Sequence, residues 1–183
     1  MLSIKNLYKI ALVLVSIIWL SGCKESEKKD DFIILQLNDV YEMSGVKGGT
    51  LGGLPRVQTL LKKLRKENPN TITMLAGDLF SPSAIGIAEK DGKRFAGRQM
   101  VALLNAMDWD YLTFGNHEFD LKEVDLRNTL NDLQFELITD NITDTTGAMF
   151  PNTRKYKMVE INGLNVGILG IALNTFKTKF ATI

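Results

Sequence analysis

In the stretch YLTFGNHEFD, from Tyr111 to Asp120, an apolar run changes abruptly into a polar turn. Tyr111-Leu112-Thr113-Phe114 is short and apolar, which predicts a β-strand. The segment that follows brings a ligand-type amide, an imidazole and a carboxylate together within one turn. The sequence therefore predicts that chemically active side chains lie just beyond the end of a buried strand.

Two earlier stretches show the same pattern. Phe32–Leu37 is followed by Asp39, and Thr71–Ala76 is followed by Asp78. The intervals from Asp39 to Asp78 and from Asp78 to Asn116 are 39 and 38 residues. Each interval is long enough for a crossover of about 30 residues that returns to a parallel neighbour. Because α/β sheets place their sites at the carboxyl ends of strands, we expect these side chains to converge on one crevice.

The other periodic segments predict helices between the strands and a hairpin after them. Apolar residues recur at helical spacing after Leu54-Pro55, and proline fits the first turn of a helix. Asn162-Gly163 separates two apolar runs, which is a strong hairpin signal. The predicted elements after the first strand are a helix from residue 54, strands at 71–76, 111–114 and 136–139, helices at about 97–107 and 121–133, and hairpin strands at 156–161 and 164–171. This order predicts an α/β layered sandwich with a mixed sheet.

The three strand-end residues have the chemistry of a metal site. Two carboxylates and an amide are all oxygen donors, and Asp78 in the middle could bridge two divalent ions about 3.5 to 4 Å apart. Such a pair of ions would bind a phosphoryl group and share a hydroxide nucleophile. Taken singly, Gly-Asp and Gly-Asn are ordinary turn pairs, so a loop cap is the alternative interpretation of each.

Several motifs together resemble one family. GNHEFD at 115–120, Gly77-Asp78 and Asn38-Asp39 resemble the calcineurin-like metallophosphoesterases, and in detail the 5′-nucleotidases of the periplasm and cell surface. The stretches at 52–56 and 166–170 also match that family's pattern, and the resemblance covers Phe32 to Leu173. It implies a four-layer αββα sandwich that is incomplete in this chain.

The resemblance also implies roles for individual residues. Asp39 would bind one of two divalent ions (Zn, Mn or Mg), Asp78 would bridge them, and Asn116 would bind the other. His117 would protonate the leaving alkoxide, and Asp120 would orient its imidazole. The implied substrates are phosphate monoesters, above all nucleoside 5′-monophosphates and related nucleotides.

The chain departs from the family at Tyr41, where the pattern has a histidine two residues after the first aspartate. We expect Tyr41 to contact the metal-binding side chains without binding the ion itself, or to face the substrate. The reason is that a phenol with a pKa near 10 binds metals poorly. The family's later histidine ligands and its carboxyl-terminal domain also have no counterpart in the 183 residues. Two hypotheses follow: part of an enzyme whose missing half lies elsewhere, or an inactive lipoprotein remnant or binding module. We expect the 183-residue chain alone to be inactive.

The first residues predict export and anchoring. Ile10 to Leu20 is an apolar run after two lysines, typical of a signal peptide over residues 1–22 and too short to span a bilayer easily. Leu20-Ser21-Gly22-Cys23 resembles the bacterial lipobox, which implies a lipid on Cys23 and attachment to a membrane of the bacterial cell envelope, on its periplasmic or surface side. An uncleaved anchor is the alternative. Residues 23–31 would form a tether, and residues 32–183 the amino-terminal part of a metallophosphoesterase domain.

Composition sets the remaining limits. With 45% hydrophobic and 23% charged residues, the chain has the composition and length of one globular domain. Lys plus Arg number 22 and Asp plus Glu number 21, so the charge balance predicts no nucleic-acid partner.

Overall fold

A parallel five-stranded sheet forms the centre of the computed structural model, which describes residues 31–173 and 181–182. The strand order is β1-β2-β5-β6-β8, and all four neighbouring pairs are parallel. Its strands are β1 (Ile33–Leu37), β2 (Thr71–Ala76), β5 (Tyr111–Thr113), β6 (Glu136–Ile138) and β8 (Thr153–Arg154). The strand order follows the chain order, so each crossover leads to the next neighbour.

One face of this sheet is covered by helices. Leu37, Leu75, Leu112 and Leu137 align across the sheet in register, and the last three are at most 1% exposed. They pack in the same core as apolar residues of the helices. The helices are α1 (Leu54–Glu67), α2 (Ala84–Ile87), α3 (Arg98–Ala106), the 3₁₀ turn η1 (His117–Asp120) and α4 (Glu123–Asn131).

The opposite face of the sheet is only partly covered. The apolar run Phe32–Leu37 favours a strand buried on both faces of the sheet, but Ile34 in β1 is 49% exposed, so that interpretation is wrong over part of the strand. β1 alternates between half-buried and exposed residues because successive side chains point to opposite faces of the sheet, and helices cover one face only. Ile168, Leu169 and Gly170 lie against this face further along, beside a cavity of about 170 Å³.

The predicted hairpin is present. β9 (Tyr156–Ile161) and β10 (Leu164–Leu169) pair antiparallel around Asn162-Gly163, whose φ angles of 56° and 82° are those that a tight hairpin turn needs. The two strands form a sheet of their own among residues 31–173 and 181–182, so the central sheet there is parallel and not mixed. Two short strand pairs are also present in the described structure: β3 (Glu89–Lys90) with β4 (Lys93–Arg94), and β7 (Thr143–Asp144) with β11 (Ala181–Thr182).

The predicted amino-terminal leader and Cys23 lie outside the described residues. Within those residues, no helix combines the length and apolar character needed to cross a bilayer.

Candidate active site

The sequence-predicted residues lie beyond the carboxyl ends of three adjacent parallel strands. Asp39 follows β1, Asp78 follows β2 and Asn116 follows β5, as the strand-end pattern predicts. Asp39 and Asp78 both adopt left-handed backbone conformations, with φ of 55° and 60°. Such conformations are uncommon for residues other than glycine and are often found at functional sites.

A tyrosine hydroxyl connects the two carboxylates. The Tyr41 hydroxyl lies 2.9 Å from Asp39 Oδ1 and 3.4 Å from Asp78 Oδ2, and it donates its proton to these acceptors. Asn38 donates a further hydrogen bond of 2.6 Å to the other oxygen of Asp39. The bonds from Asn38 and Tyr41 lower the Asp39 pKa, whereas partial burial, followed by the bond to Asp39, raises the Tyr41 pKa well above 10. Both carboxylates therefore reach a single point, and the group at that point is a neutral phenol.

The second cluster is the imidazole of His117 with its carboxylate partner. His117 Nδ1 lies 2.6 Å from Asp120 Oδ2, and this bond raises the His117 pKa above its usual 6.5. The backbone N–H of His117 also donates a 2.9 Å hydrogen bond to Asp78 Oδ1. The imidazole side chain is 36% exposed and its ring centre lies 5.9 Å from that of Tyr41. Because Asp120 binds Nδ1, Nε2 is the ring nitrogen that can face a substrate.

Asn116 differs from the other predicted ligands. It is exposed, stands directly before η1, and has a regular helical backbone with φ of −78°. No hydrogen bond from its side chain caps that helix, so the amide is not committed to the role of a loop cap. Its position beside His117 keeps it at the same edge of the sheet as Asp39 and Asp78.

Glu118 is the site residue that sequence reasoning missed. Its side chain is completely buried, and its two oxygens accept hydrogen bonds from the backbone N–H groups of Asp78 (2.9 Å), Leu79 (2.6 Å), Phe80 (3.3 Å) and Gly115 (2.7 Å). Burial raises the pKa of this carboxyl, and the four N–H groups act in the opposite direction by stabilising the carboxylate. A glutamate in a polar turn normally indicates solvent exposure, so only its place inside GNHEFD could have marked it.

The two loops also touch through their backbones. A Cβ atom on Gly77, whose φ is 78°, would lie 2.3 Å from the backbone nitrogen of Gly115. A Cβ on Gly115 would in turn lie 2.2 Å from Asp78 Oδ1. Glycine is therefore required on both sides for the Asp78 loop to approach the turn that begins η1.

The donor chemistry of this edge fits a hard divalent cation. Asp39 and Asp78 reach a common point, as their contacts with Tyr41 show, and oxygen donors of this kind bind Mg²⁺ or Mn²⁺. Across residues 31–173 and 181–182, however, no group of three or more His, Cys, Asp or Glu side chains is arranged to hold an ion. These residues can thus contribute ligands, with Tyr41 standing where the family pattern has an imidazole.

A family model for calcineurin-like phosphoesterases matches residues 32–165. The chain belongs to the calcineurin-like phosphoesterase family. Members of this family are enzymes that use divalent metal ions. The assignment agrees with the predicted family and with the α/β fold, whose central parallel sheet matches the amino-terminal domains of 5′-nucleotidases.

Individual relatives point in the same direction. The phosphoesterase is 25% identical over 173 residues to the NAD 5′-nucleotidase of Haemophilus influenzae, an alignment that covers 88% of this chain and 28% of that protein. It is 29% identical over 125 residues to the 5′-nucleotidase of Rattus norvegicus, which covers 66% of this chain and 20% of the relative.

Solved structures show the same fold. The structure of Haemophilus influenzae NAD nucleotidase has a TM-score of 0.69 at 24% identity, over 82% of this chain and 32% of that one. A 5′-nucleotidase precursor from Thermus thermophilus has a TM-score of 0.66 at 20% identity, over 83% of this chain and 32% of that one. The phosphoesterase chain thus spans less than a third of the length of these relatives, and the roles predicted for its individual site residues stay predictions.

Proposed function

We propose that this chain forms part of a metal-dependent hydrolase of phosphate monoesters. The observation that carries the proposal is the convergence of Asp39, Asp78 and the His117–Asp120 pair at one edge of a parallel sheet. Two carboxylates provide metal ligands, and an imidazole held by a carboxylate provides a proton donor. These are the parts that phosphoester hydrolysis needs from a protein.

Each of the predicted site residues has a part in this reaction. Asp39, Asp78 and Asn116 would hold divalent ions, with Asp78 between two of them. When bound, such ions supply Lewis-acid stabilisation of the phosphoryl group and a nucleophile at neutral pH. As the phosphorus–oxygen ester bond breaks, His117 Nε2 donates its proton to the leaving alkoxide, while Asp120 holds Nδ1 and stabilises the imidazolium.

Nucleoside 5′-monophosphates and related nucleotides are the proposed substrates. The relatives named 5′-nucleotidase and NAD 5′-nucleotidase support this class. The described site supplies groups for the phosphate only, so recognition of the base is assigned to a part of the protein beyond residues 32–173. We propose no nucleic-acid substrate.

We also propose that the protein is anchored to a membrane of the bacterial envelope through a lipid on Cys23, with the enzyme on the periplasmic or surface side. The supporting observation is the apolar run that ends in Leu20-Ser21-Gly22-Cys23. Cys23→Ser should leave the protein in the soluble or precursor fraction. A processed form of this variant that stays on the membrane would contradict the proposal.

The function is tested by sequencing the gene past the codon for Ile183 and assaying its native product. We expect the frame to continue into histidine-bearing segments and a second domain, and the longer protein to hydrolyse 5′-AMP in the presence of Mn²⁺ or Zn²⁺. The 183-residue chain, assayed beside it, should be inactive. A stop codon after Ile183, a native mass that fits residues 23–183 plus lipid, and no hydrolysis would contradict the proposal.

Two observations favour the alternative of an inactive remnant or binding module. The Tyr41 hydroxyl occupies the point between the two carboxylates, and apolar side chains such as Ile34 (49%), Met158 (55%) and Leu169 (57%) are strongly exposed. Under this alternative the purified chain binds apolar dyes, aggregates and shows no ion-dependent turnover.

A further inference from the structure

We infer that Glu118 is a positioning residue, which fixes the loop that carries Asp78 against the turn that carries Asn116 and His117 in the geometry needed for hydrolysis. The inference rests on the proposed function for its catalytic consequence. Its structural part can be measured without any turnover.

The contacts of Glu118 extend over two separate segments. Oε1 accepts from the N–H groups of Leu79 and Phe80, and Oε2 accepts from those of Asp78 and Gly115. The first three donors belong to the loop after β2, and the fourth belongs to the turn after β5. One buried side chain thus joins the two loops that supply the central predicted ligand and the predicted acid.

The four hydrogen bonds to the Glu118 carboxylate use all of its lone pairs and leave no position for water. Each carboxylate oxygen has two lone pairs, and here each accepts two N–H groups. The Glu118 side chain is 0% exposed, so no solvent replaces a lost partner. Burying four N–H groups without an acceptor is unfavourable, and the two loops are expected to separate or rearrange when this carboxylate is absent.

The contact between Asp78 and His117 depends on this arrangement. The His117 N–H reaches Asp78 Oδ1 at 2.9 Å only while the two loops stay together, and the close approach of Gly77 to Gly115 has the same requirement. Glu118 touches neither the predicted ligand oxygens nor the imidazole ring through any of its four bonds. It therefore acts on the site through the backbone of its neighbours.

The first test uses amide hydrogen exchange in the wild-type chain. Asp78, Leu79, Phe80 and Gly115 lie outside helices and strands, yet their N–H groups should exchange slowly because Glu118 buries and binds them. Exchange at these four amides as fast as in an exposed loop would overturn the inference without any variant being made.

The second test compares Glu118→Gln and Glu118→Asp with Thr129→Val. The glutamine keeps the size but presents an NH₂ group to two of the N–H donors, while aspartate keeps the charge and is one methylene shorter. Thr129 is also 0% exposed and donates to the Ala96 carbonyl, away from the site, so its valine variant is a control for the loss of a buried hydrogen bond.

For Glu118→Gln we expect exchange at the remaining bonded amides to become roughly 10- to 100-fold faster. Mn²⁺ affinity, measured by titration, should fall by at least about tenfold. In whichever form of the protein hydrolyses 5′-AMP, kcat should fall by about 100-fold with a smaller change in KM, because misplaced groups weaken the transition state. Glu118→Asp should recover part of each loss, and Thr129→Val should change none of the three.

A Glu118→Gln variant that loses stability as Thr129→Val does, but keeps wild-type Mn²⁺ affinity and kcat, would show that Glu118 only stabilises the fold. If Glu118→Gln does not fold, Glu118→Asp and the wild-type exchange pattern decide the question. If the wild-type protein hydrolyses no phosphoester, the proposed function is wrong. Slow amide exchange and Glu118-dependent Mn²⁺ binding would even then establish that Glu118 positions the two loops.

Discussion

The carboxylate of Asp144 and the carboxylates of Asp39 and Asp78 all lie at strand ends, but their surroundings are opposite. Asp144 is 8% exposed and accepts hydrogen bonds from the backbone and hydroxyl of Thr146, from the N–H of Ala148 and from Arg127. Asp39 is exposed, and the Tyr41 hydroxyl is the group it shares with Asp78.

The difference separates carboxylates that hold a loop from carboxylates that are available to a ligand. Four hydrogen bonds, one from a guanidinium, use the lone pairs of Asp144 within its own loop and the adjacent α4. The edge of the sheet that carries Asp39, Asp78 and His117 is called the active edge here. At this edge, Glu118 and the close approach of Gly77 to Gly115 hold the loops instead. Asp78 adds one loop contact of its own, in which Oδ1 accepts the His117 N–H, while its Oδ2 faces the Tyr41 hydroxyl that Asp39 also binds.

The largest expected effect comes from removing the acid at the active edge. In the longer protein that hydrolyses 5′-AMP, His117→Ala should lower kcat by roughly 100- to 10,000-fold, the usual contribution of a general acid. Its melting temperature should change little because the side chain is 36% exposed. Lys63→Ala, on the exposed face of α1, is the matched control. Full turnover in the His117 variant would remove the proposed acid.

The same histidine predicts a pH profile. Asp120 holds the His117 pKa above 6.5, so the imidazolium present at lower pH is lost as the pH rises through that higher value. We expect kcat to fall on the alkaline side of pH 6.5 and the fall to disappear in His117→Ala. An unchanged alkaline limb in the variant would assign the titration to another group.

The next prediction concerns the close approach of the backbones of Gly77 and Gly115. Gly77→Ala combines a left-handed φ of 78° with a Cβ only 2.3 Å from Gly115 N, whereas Gly163→Ala has a similar φ of 82° and open space around it. We expect Gly163→Ala to cost about 1 kcal/mol and Gly77→Ala several times as much, measured by urea unfolding. Equal losses would mean that the two loops do not touch.

A smaller effect should distinguish the roles of Tyr41. In Tyr41→Phe the hydroxyl no longer competes for Asp39 and Asp78, so Mn²⁺ should bind up to about tenfold more tightly in a calorimetric titration. Tyr156→Phe, on the hairpin and 64% exposed, serves as the control. Weaker binding in Tyr41→Phe would instead make the phenol oxygen a ligand.

The smallest effect is expected at Asp144. Its pKa lies below the ordinary 3.8, chiefly because of Thr146 and Arg127, so the stability it provides is present above pH 3.8 and is lost as the pH falls towards the folded-state pKa. Asp144→Asn should therefore unfold at lower urea than wild type at pH 7, and the difference should be somewhat smaller at pH 3. Asp91→Asn, in the exposed β3–β4 turn, should follow the wild-type curve at both pH values.

The sequence predicted the placement of the site better than its internal support. β2 begins and ends where predicted, and Asp39, Asp78 and His117 meet because parallel strands bring their carboxyl ends together. The function of Glu118 depends on four backbone N–H groups, and such donors are the same for every residue type. A sequence pattern therefore does not show which backbone N–H groups a side chain will contact.

The faces of the sheet show a second limit. Apolar runs such as Phe32–Leu37 predict burial on both sides, but Ile34 and Gln36 are exposed in the described structure. Periodicity identifies a strand from its own residues, whereas burial depends on what packs over it. Likewise, the Asn162-Gly163 signal predicted the hairpin turn but not that its strands would form a separate sheet.

The sequential strand order has a consequence for how the protein is made. Because β1, β2 and β5 are neighbours in the sheet and also come first along the chain, the ribosome releases them in the order in which they pair. By Asp120 every metal or proton-transfer residue predicted within residues 32–173 has been synthesised, and so has Glu118, which joins their loops. We expect this edge to assemble by adding one strand at a time, before β6 and the hairpin have emerged.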